Sequence, residues 1–258
     1  MRSKFIRLLA LCAALTVVAG LSGCGDGQPP VNEEGEGEGE QHAPVQTYPY
    51  EQSEKIADFT AGNTGGFYAS DGWSNGGMFN CTWTGANTSV TGDGLTLTLN
   101  SSGNRYYGAE YRTGQYYSYG YYGVCMKAAK GSGIVSSFFT YLGDPWDEID
   151  IEFLGKNTTQ VQFNYYTNGV GGHEFLFDLG FDASSRFHEY GFLWQPGSIT
   201  WYVDGVPAHT ATKDIPSHGG NIMMNLWNCI GMDDWTGPFD GGILPVSAQY
   251  KWVRYTAI

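Results

Sequence analysis

Three carboxylates stand at every second position of one short segment, Trp146-Asp147-Glu148-Ile149-Asp150-Ile151-Glu152-Phe153. In an extended strand successive side chains point to opposite faces. Glu148, Asp150 and Glu152 therefore share one face, and Ile149, Ile151 and Phe153 the other. Neighbours in the acidic row then have Cα atoms about 6–7 Å apart. Like charges at that spacing destabilise a fold unless their pKa values separate or a ligand uses them. A solvated strand face normally supplies Lys or Arg partners, and none occurs between Lys130 and Lys156. A calcium site would bring Asn, Asp and Gly at loop spacing, which is absent here. The chemistry that fits is a pair of carboxyl groups with divided duties at a glycosidic bond. One is ionised to attack the anomeric carbon, and the other is protonated to donate to the leaving oxygen. Glu148 and Glu152 suit these roles, with Asp150 placed between them to hydrogen-bond the nucleophile. Their Cα atoms are about 13 Å apart in a regular strand. The side chains must lean inward to reach the roughly 5–5.5 Å expected for retention of configuration, which the spacing permits without establishing.

The elements that must hold this segment are strands. Leu95-Thr96-Leu97-Thr98-Leu99 alternates cleanly between turn-forming triplets. Tyr119 to Lys127, Ile134 to Tyr141, Gln160 to Tyr166, Phe187 to Trp194, Ile199 to Val203, Asn221 to Trp227 and Gln249 to Tyr255 follow the same pattern. Asp204-Gly205, between two alternating runs, predicts a tight hairpin. No ten-residue stretch beyond residue 50 carries helical periodicity. With 38 Gly, 18 Tyr, 14 Phe and 8 Trp in 258 residues and only 15% charged residues, the chain reads as all-β, a sandwich of two sheets.

A formal charge of −13 excludes nucleic acid as a partner, because phosphate binding needs clustered Lys and Arg. Residues 1–23 read as an export signal: Arg2, Lys4 and Arg7 precede an apolar run from Leu8 to Ala19 that is too short to span a bilayer comfortably. Leu21-Ser22-Gly23-Cys24 resembles the bacterial lipoprotein cleavage box, in which the Cys24 sulfur is acylated; the alternative is an ordinary signal peptide with Cys24 incidental. Residues 24–50, with Glu and Gly alternating from Glu34 to Glu40, read as an extended tether. Residues 51–258 form the remaining domain. Cys81, Cys125 and Cys229 allow at most one disulfide, and their spacing selects no pair. The five histidines show no metal-ligand spacing and read as surface or loop residues, so no metal centre is expected.

At Glu148-Ile149-Asp150-Ile151-Glu152-Phe153-Leu154-Gly155 the sequence resembles the signature of glycoside hydrolase family 16. Gly133 to Tyr141, Trp146 to Lys156, Val161 to Asn168 and Ile222 to Trp227 are similar to its bacterial lichenase branch, and the likeness extends over about residues 56 to 256. The resemblance implies a jelly-roll β-sandwich of two antiparallel sheets whose concave sheet forms a substrate cleft. It implies Glu148 as nucleophile, Asp150 as its assistant and Glu152 as acid/base. It also implies polar sugar contacts from Asn75, Glu110, Arg112, Tyr141, Gln162, Asn164, Tyr166 and Asn225, and apolar platforms from Phe139, Trp146, Trp227 and Trp235. Relatives acting on β-1,3-glucan carry one extra residue before the second Glu, which this chain lacks.

The expectation is retaining endo-hydrolysis of mixed-linkage β-glucan by an exported, lipid-anchored monomer. The rivals are a β-1,3-glucanase or transglycosylase of the same fold, and a non-catalytic glycan-binding protein. Three departures from the family pattern stand out. Gly108 replaces the expected cysteine partner of Cys81, and the Leu142–Pro145 loop is short. Lys251 replaces an expected Asp ligand of calcium, so no cofactor is expected.

Overall fold

The computed structural model describes residues 53–258. The expected signal segment and tether, with Cys24 and His42, lie outside the described residues. In chain order the strands are β1 (Lys55–Asp58), β2 (Phe67–Ala69), β3 (Thr82–Trp83), β4 (Thr88–Thr91), β5 (Gly94–Ser102), β6 (Arg105–Thr113), β7 (Gly120–Lys127) and β8 (Ile134–Gly143). They continue as β9 (Trp146–Leu154), β10 (Gln160–Tyr166), β11 (Phe175–Asp178), β12 (His188–Gln195), β13 (Ser198–Val203), β14 (Val206–Ala211), β15 (Asn221–Asn228) and β16 (Val246–Ala257). The α-helix among the described residues is a single turn, Asp233–Thr236.

Two layers result. One sheet runs β11-β10-β9-β8-β15-β6, with β2 added along β6. The other runs β5-β16-β7-β12-β13-β14, and the pairing of β5 with β6 joins them. Among the described strands every pairing is antiparallel except the two-residue contact of β3 with β6. The chain is thus the expected jelly-roll sandwich.

The core is aromatic and lies between the layers. Phe153 meets Tyr190 edge to face at 4.9 Å, and Phe163 stacks on Trp201 at 5.5 Å. Burying each such side chain stabilises the fold by about 1.5–3 kcal/mol. Two polar contacts cross the core and brace the first sheet from behind. The Trp201 indole donates to the backbone oxygen of Asp150 at 3.1 Å, and the Tyr250 hydroxyl to that of Ser137 at 3.0 Å.

Every alternating run in the sequence is a strand, with ends shifted by at most three residues. Asp204 and Gly205 form the expected hairpin with φ of 47° and 77°. Alternation does not mark β6, because Gly108 interrupts it and its polar residue Glu110 is buried. The histidines need correction. His188 is a core residue on β12, 4% exposed, stacked on Phe181 at 3.6 Å and bonded through Nδ1 to Asp204 at 2.7 Å. Half of the Leu142–Pro145 segment is strand: Gly143 pairs with Trp146, so only Asp144 and Pro145 turn.

Cys81 and Cys229 are buried free thiols, and burial pushes the Cys81 thiol up to about 12. A Cβ added at Gly108 would fall 2.7 Å from Cys81 Sγ, so glycine stands directly against the thiol. At Lys251, β16 breaks register between Tyr250 and Trp252. The Lys251 ammonium lies 4.9 Å from the Phe187 ring centroid. An ammonium donates hydrogen bonds and cannot ligate a cation, so Lys251 cannot supply the carboxylate ligand that the resemblance implies at this position. No group of three or more His, Cys, Asp or Glu able to hold a metal occurs among the described residues.

Candidate active site

Regular pairing across five strands turns the acidic row into a grid. Tyr166, Glu148, Tyr141 and Asn221 are successive cross-strand partners. The next row on this face is Asn164, Asp150, Phe139, Met223 and Arg112, and the third is Gln162, Glu152, Ser137, Asn225 and Glu110. Directly opposed residues in an antiparallel sheet share a face. The grid is therefore the floor of an open cleft of about 780 Å³. All fifteen residues that the sequence nominates for catalysis and sugar contact line it.

The carboxyl groups are held by donors. The Trp146 indole N–H donates to Glu148 Oε2 at 2.5 Å, and Trp146 stacks on Tyr166 at 4.5 Å. Gln162 donates from Nε2 to Glu152 Oε2 at 2.9 Å while its Oε1 accepts from the Trp235 indole at 3.1 Å. Burial pushes Glu148 up to about 7, against the opposing effect of its hydrogen bonds with Trp146 and Asp150. Burial and the Glu148 charge push Glu152 up to about 8. Asp150 is raised well above the ordinary carboxylate range, by burial first and then by both glutamates. The hydrogen bond between Glu148 and Asp150 lowers Glu148 and raises Asp150, the pattern of a proton held on the Asp150 side. Both glutamates keep an opening to the cleft. The two glutamates thereby sit in surroundings that raise them unequally, the kind of difference that two-carboxylate catalysis uses.

Away from the dyad, Glu110 is buried, accepts from Ser70 Oγ at 2.5 Å and lies 3.9 Å from Arg112. Ser137 donates to Asn225 Oδ1 at 2.6 Å, and the Trp83 indole donates to Asn75 Oδ1 at 2.8 Å. Trp227 lines the cleft with only 2% of its surface exposed, because Phe79 stacks on it at 3.9 Å and covers one of its faces. Phe79, Trp73 and Glu174 line the cleft although sequence reasoning does not nominate them. An aromatic amid turn residues, Asp71-Gly72-Trp73-Ser74, is the available signal for Trp73. Glu174 follows β10 in a segment with no local signature.

Sequence reasoning also misses Asp147. Strand parity puts it on the apolar face beside Ile149, yet it is buried and keeps its charge. Burial alone would raise its pKa. Backbone N–H groups of Asn168 (2.8 Å), Ser217 (3.0 Å) and His218 (3.0 Å), with the His218 ring, outweigh burial and lower it. One carboxylate thereby ties the start of β9 to two distant loops, immediately beside Glu148.

Carboxyl groups that divide their protons beneath aromatic walls, in a trough open to a long chain, meet the demands of glycosidic bond cleavage, and the sandwich around them is a glycoside hydrolase. Its lineage is settled by comparison: residues 75–254 match Glycosyl hydrolases family 16, and the chain belongs to that family. It is 62% identical over 193 residues to a beta-glucanase of Paenibacillus macerans, spanning 72% of this chain and 81% of that protein. The solved beta-glucanase of Bacillus licheniformis superposes with a TM-score of 0.77 at 53% identity, covering 81% of this chain and all (100%) of that one. A beta-1,3-1,4-glucanase (lichenase) from a mouse hindgut metagenome superposes at 0.72 with 54% identity, over 74% and 93%.

The raised carboxyls generate a stability prediction. A group whose folded pKa is raised contributes its full stability below the unfolded pKa and loses it as pH rises through the folded value. Glu152→Gln removes that loss, so the variant melts several degrees above wild type at pH 9 and level with it near pH 4. Thermal melts across that range check this; a variant less stable than wild type at pH 9 sinks the argument.

Proposed function

We propose that the chain hydrolyses mixed-linkage β-glucan internally, cutting β-1,4 bonds next to β-1,3 bonds with retention through a glycosyl–Glu148 intermediate. The observation that carries this reading is the unbroken register of β9 with both neighbours from Glu148 to Glu152. The extra residue of the β-1,3-specific pattern would insert a bulge there and re-aim the second glutamate. The likeness to the metagenome beta-1,3-1,4-glucanase supports the same substrate.

In the mechanism, ionised Glu148 attacks the anomeric carbon while Glu152 gives its proton to the departing glycosidic oxygen. Asp150 steadies the nucleophile by donating a hydrogen bond, and withdraws charge as the covalent bond forms. Glu152, now ionised, takes a proton from water, which attacks the same carbon and releases Glu148. Asn75, Glu110, Arg112, Tyr141, Gln162, Asn164, Tyr166 and Asn225 offer hydrogen bonds to sugar hydroxyls, and Trp146, Trp235 and Phe139 offer apolar contact.

Sizing the oligosaccharides released from barley β-glucan, laminarin and carboxymethylcellulose tests the specificity: β-glucan alone should yield short, discrete products. Glu148→Ala should abolish turnover, and azide should restore activity on an activated glycoside with inverted product. Wild-type-like turnover by that variant would end the assignment. Glu152→Ala should cost about 10²–10⁴-fold on β-glucan and far less where the leaving group needs no proton. The pH profile of kcat/KM should be bell-shaped. Rate rises as Glu148 ionises and falls as Glu152 deprotonates, with the acid limb above the ordinary Glu value of about 4.3.

The protein acts as an exported monomer held to the membrane through acylated Cys24. Cys24→Ser should release full-length protein from the membrane fraction; equal partitioning of both forms would remove the anchor. The domain also works without calcium. Occupancy at 100 times the dissociation constant would stabilise by about 2.7 kcal/mol, so melts in excess calcium and in chelator should coincide, and a rise of several degrees would reverse this reading.

A further inference from the structure

The middle row of the cleft floor continues beyond the cleft. Asn164, Asp150, Phe139, Met223 and Arg112 are followed by Tyr68, which pairs directly with Arg112 on β2. Opposed residues of an antiparallel sheet project from one face, so Tyr68 projects on the face that carries the carboxylates. Asp150, Phe139 and Met223 are covered, at 3%, 7% and 3% exposed, whereas Tyr68 is 47% exposed. Among the described strands β2 pairs with β6 alone, so Tyr68 ends the row at the sheet edge. The Arg112 guanidinium carbon lies 5.9 Å from the Tyr68 ring centroid. Arg112 itself lines the cleft, so the Tyr68 ring stands one strand beyond a cleft-lining residue and beside its guanidinium.

We propose that Tyr68 is an outer sugar-binding position of this cleft, on which a distal glucosyl unit of the substrate chain stacks. This rests on the polysaccharide reading above and adds the reach of the site. A single exposed tyrosine is ordinary on a protein surface; its place in the row sets this one apart. Four strand steps of about 4.8 Å separate β2 from β9, on the order of 19 Å. A β-linked glucan crossing the strands advances by a comparable step per sugar, so Tyr68 meets about the fourth unit from the bond being cut. The ring offers an apolar face to pyranose C–H groups while Arg112 holds its position from one side.

The test compares full-length wild type with Tyr68→Ala, Tyr68→Thr and Tyr68→Trp on two substrates. One is barley β-glucan, and the other an activated aryl glycoside bearing two glucosyl units, too short to reach the ring. The readout is the ratio of kcat/KM on polymer to kcat/KM on the short glycoside. Tyr68→Ala should lower that ratio about five- to tenfold, mainly through KM on the polymer. Tyr68→Thr, which keeps strand propensity without the ring, should lower it equally, and Tyr68→Trp should preserve it. An unchanged ratio, or equal losses on both substrates, overturns the outer position and leaves the dyad assignment standing. A wild type that leaves β-glucan intact overturns the polysaccharide reading, and this inference with it.

Discussion

Three carboxyl groups on consecutive same-face positions of one strand repel each other, and burial makes each charge costlier still. The rest of the domain answers that cost. Trp146, Gln162 and, through Gln162, Trp235 supply hydrogen-bond donors on the cleft side. The remaining strain shows in proton affinity: Asp150 is raised well above the ordinary carboxylate range, and Glu152 is raised further than Glu148. The device that makes the row tolerable also makes it reactive, since two glutamates in one row come to hold different proton affinities. Stability and chemistry are opposed at this strand, as they often are where a fold keeps a poorly solvated charge.

Such a row also needs a rigid support, because a lean of a fraction of an ångström decides whether two carboxyl groups can serve one bond. β9 is central in its sheet, flanked by β8 and β10. Behind it, Trp201 holds the backbone oxygen of Asp150 from the opposite layer. At its start, Asp147 gathers backbone N–H groups from Asn168, Ser217 and His218. The catalytic strand is therefore fixed from its edges, its rear and its end. Only its front is open, and that is where a polysaccharide has to lie.

The same sheet geometry gives the cleft its direction. The rows of paired residues run across the strands, so a chain lying in the trough crosses β10, β9, β8, β15 and β6 in turn. Each strand then presents polar groups at intervals close to the sugar repeat. Aromatic residues rise from strands and loops at the margins: Trp146 and Tyr166 at one side, Trp235 and Phe79 at the other. An open cleft of about 780 Å³ suits internal cleavage of a polymer better than a closed pocket, which would admit only a chain end.

By itself the sequence determined the features that local periodicity dictates. Alternation of apolar and polar residues located most strands, the Asp204-Gly205 hairpin and the sharing of one face by Glu148, Asp150 and Glu152. Period two is a property of a single extended segment, so it needs no partner to be read. Its limits are equally physical. β6 escaped because Glu110 is a buried carboxyl group whose hydrogen-bond partner, Ser70, lies 40 residues earlier. Asp147 looked misplaced among isoleucines until its partners arrived from 21, 70 and 71 residues away. The stacking of Phe79 on Trp227 and the arrival of Glu174 beside the dyad likewise depend on which segments become neighbours. Burial and hydrogen-bond satisfaction are long-range properties of a packed chain, so tertiary structure alone decided which charges stay ionised, which aromatic faces remain open and how far the cleft extends.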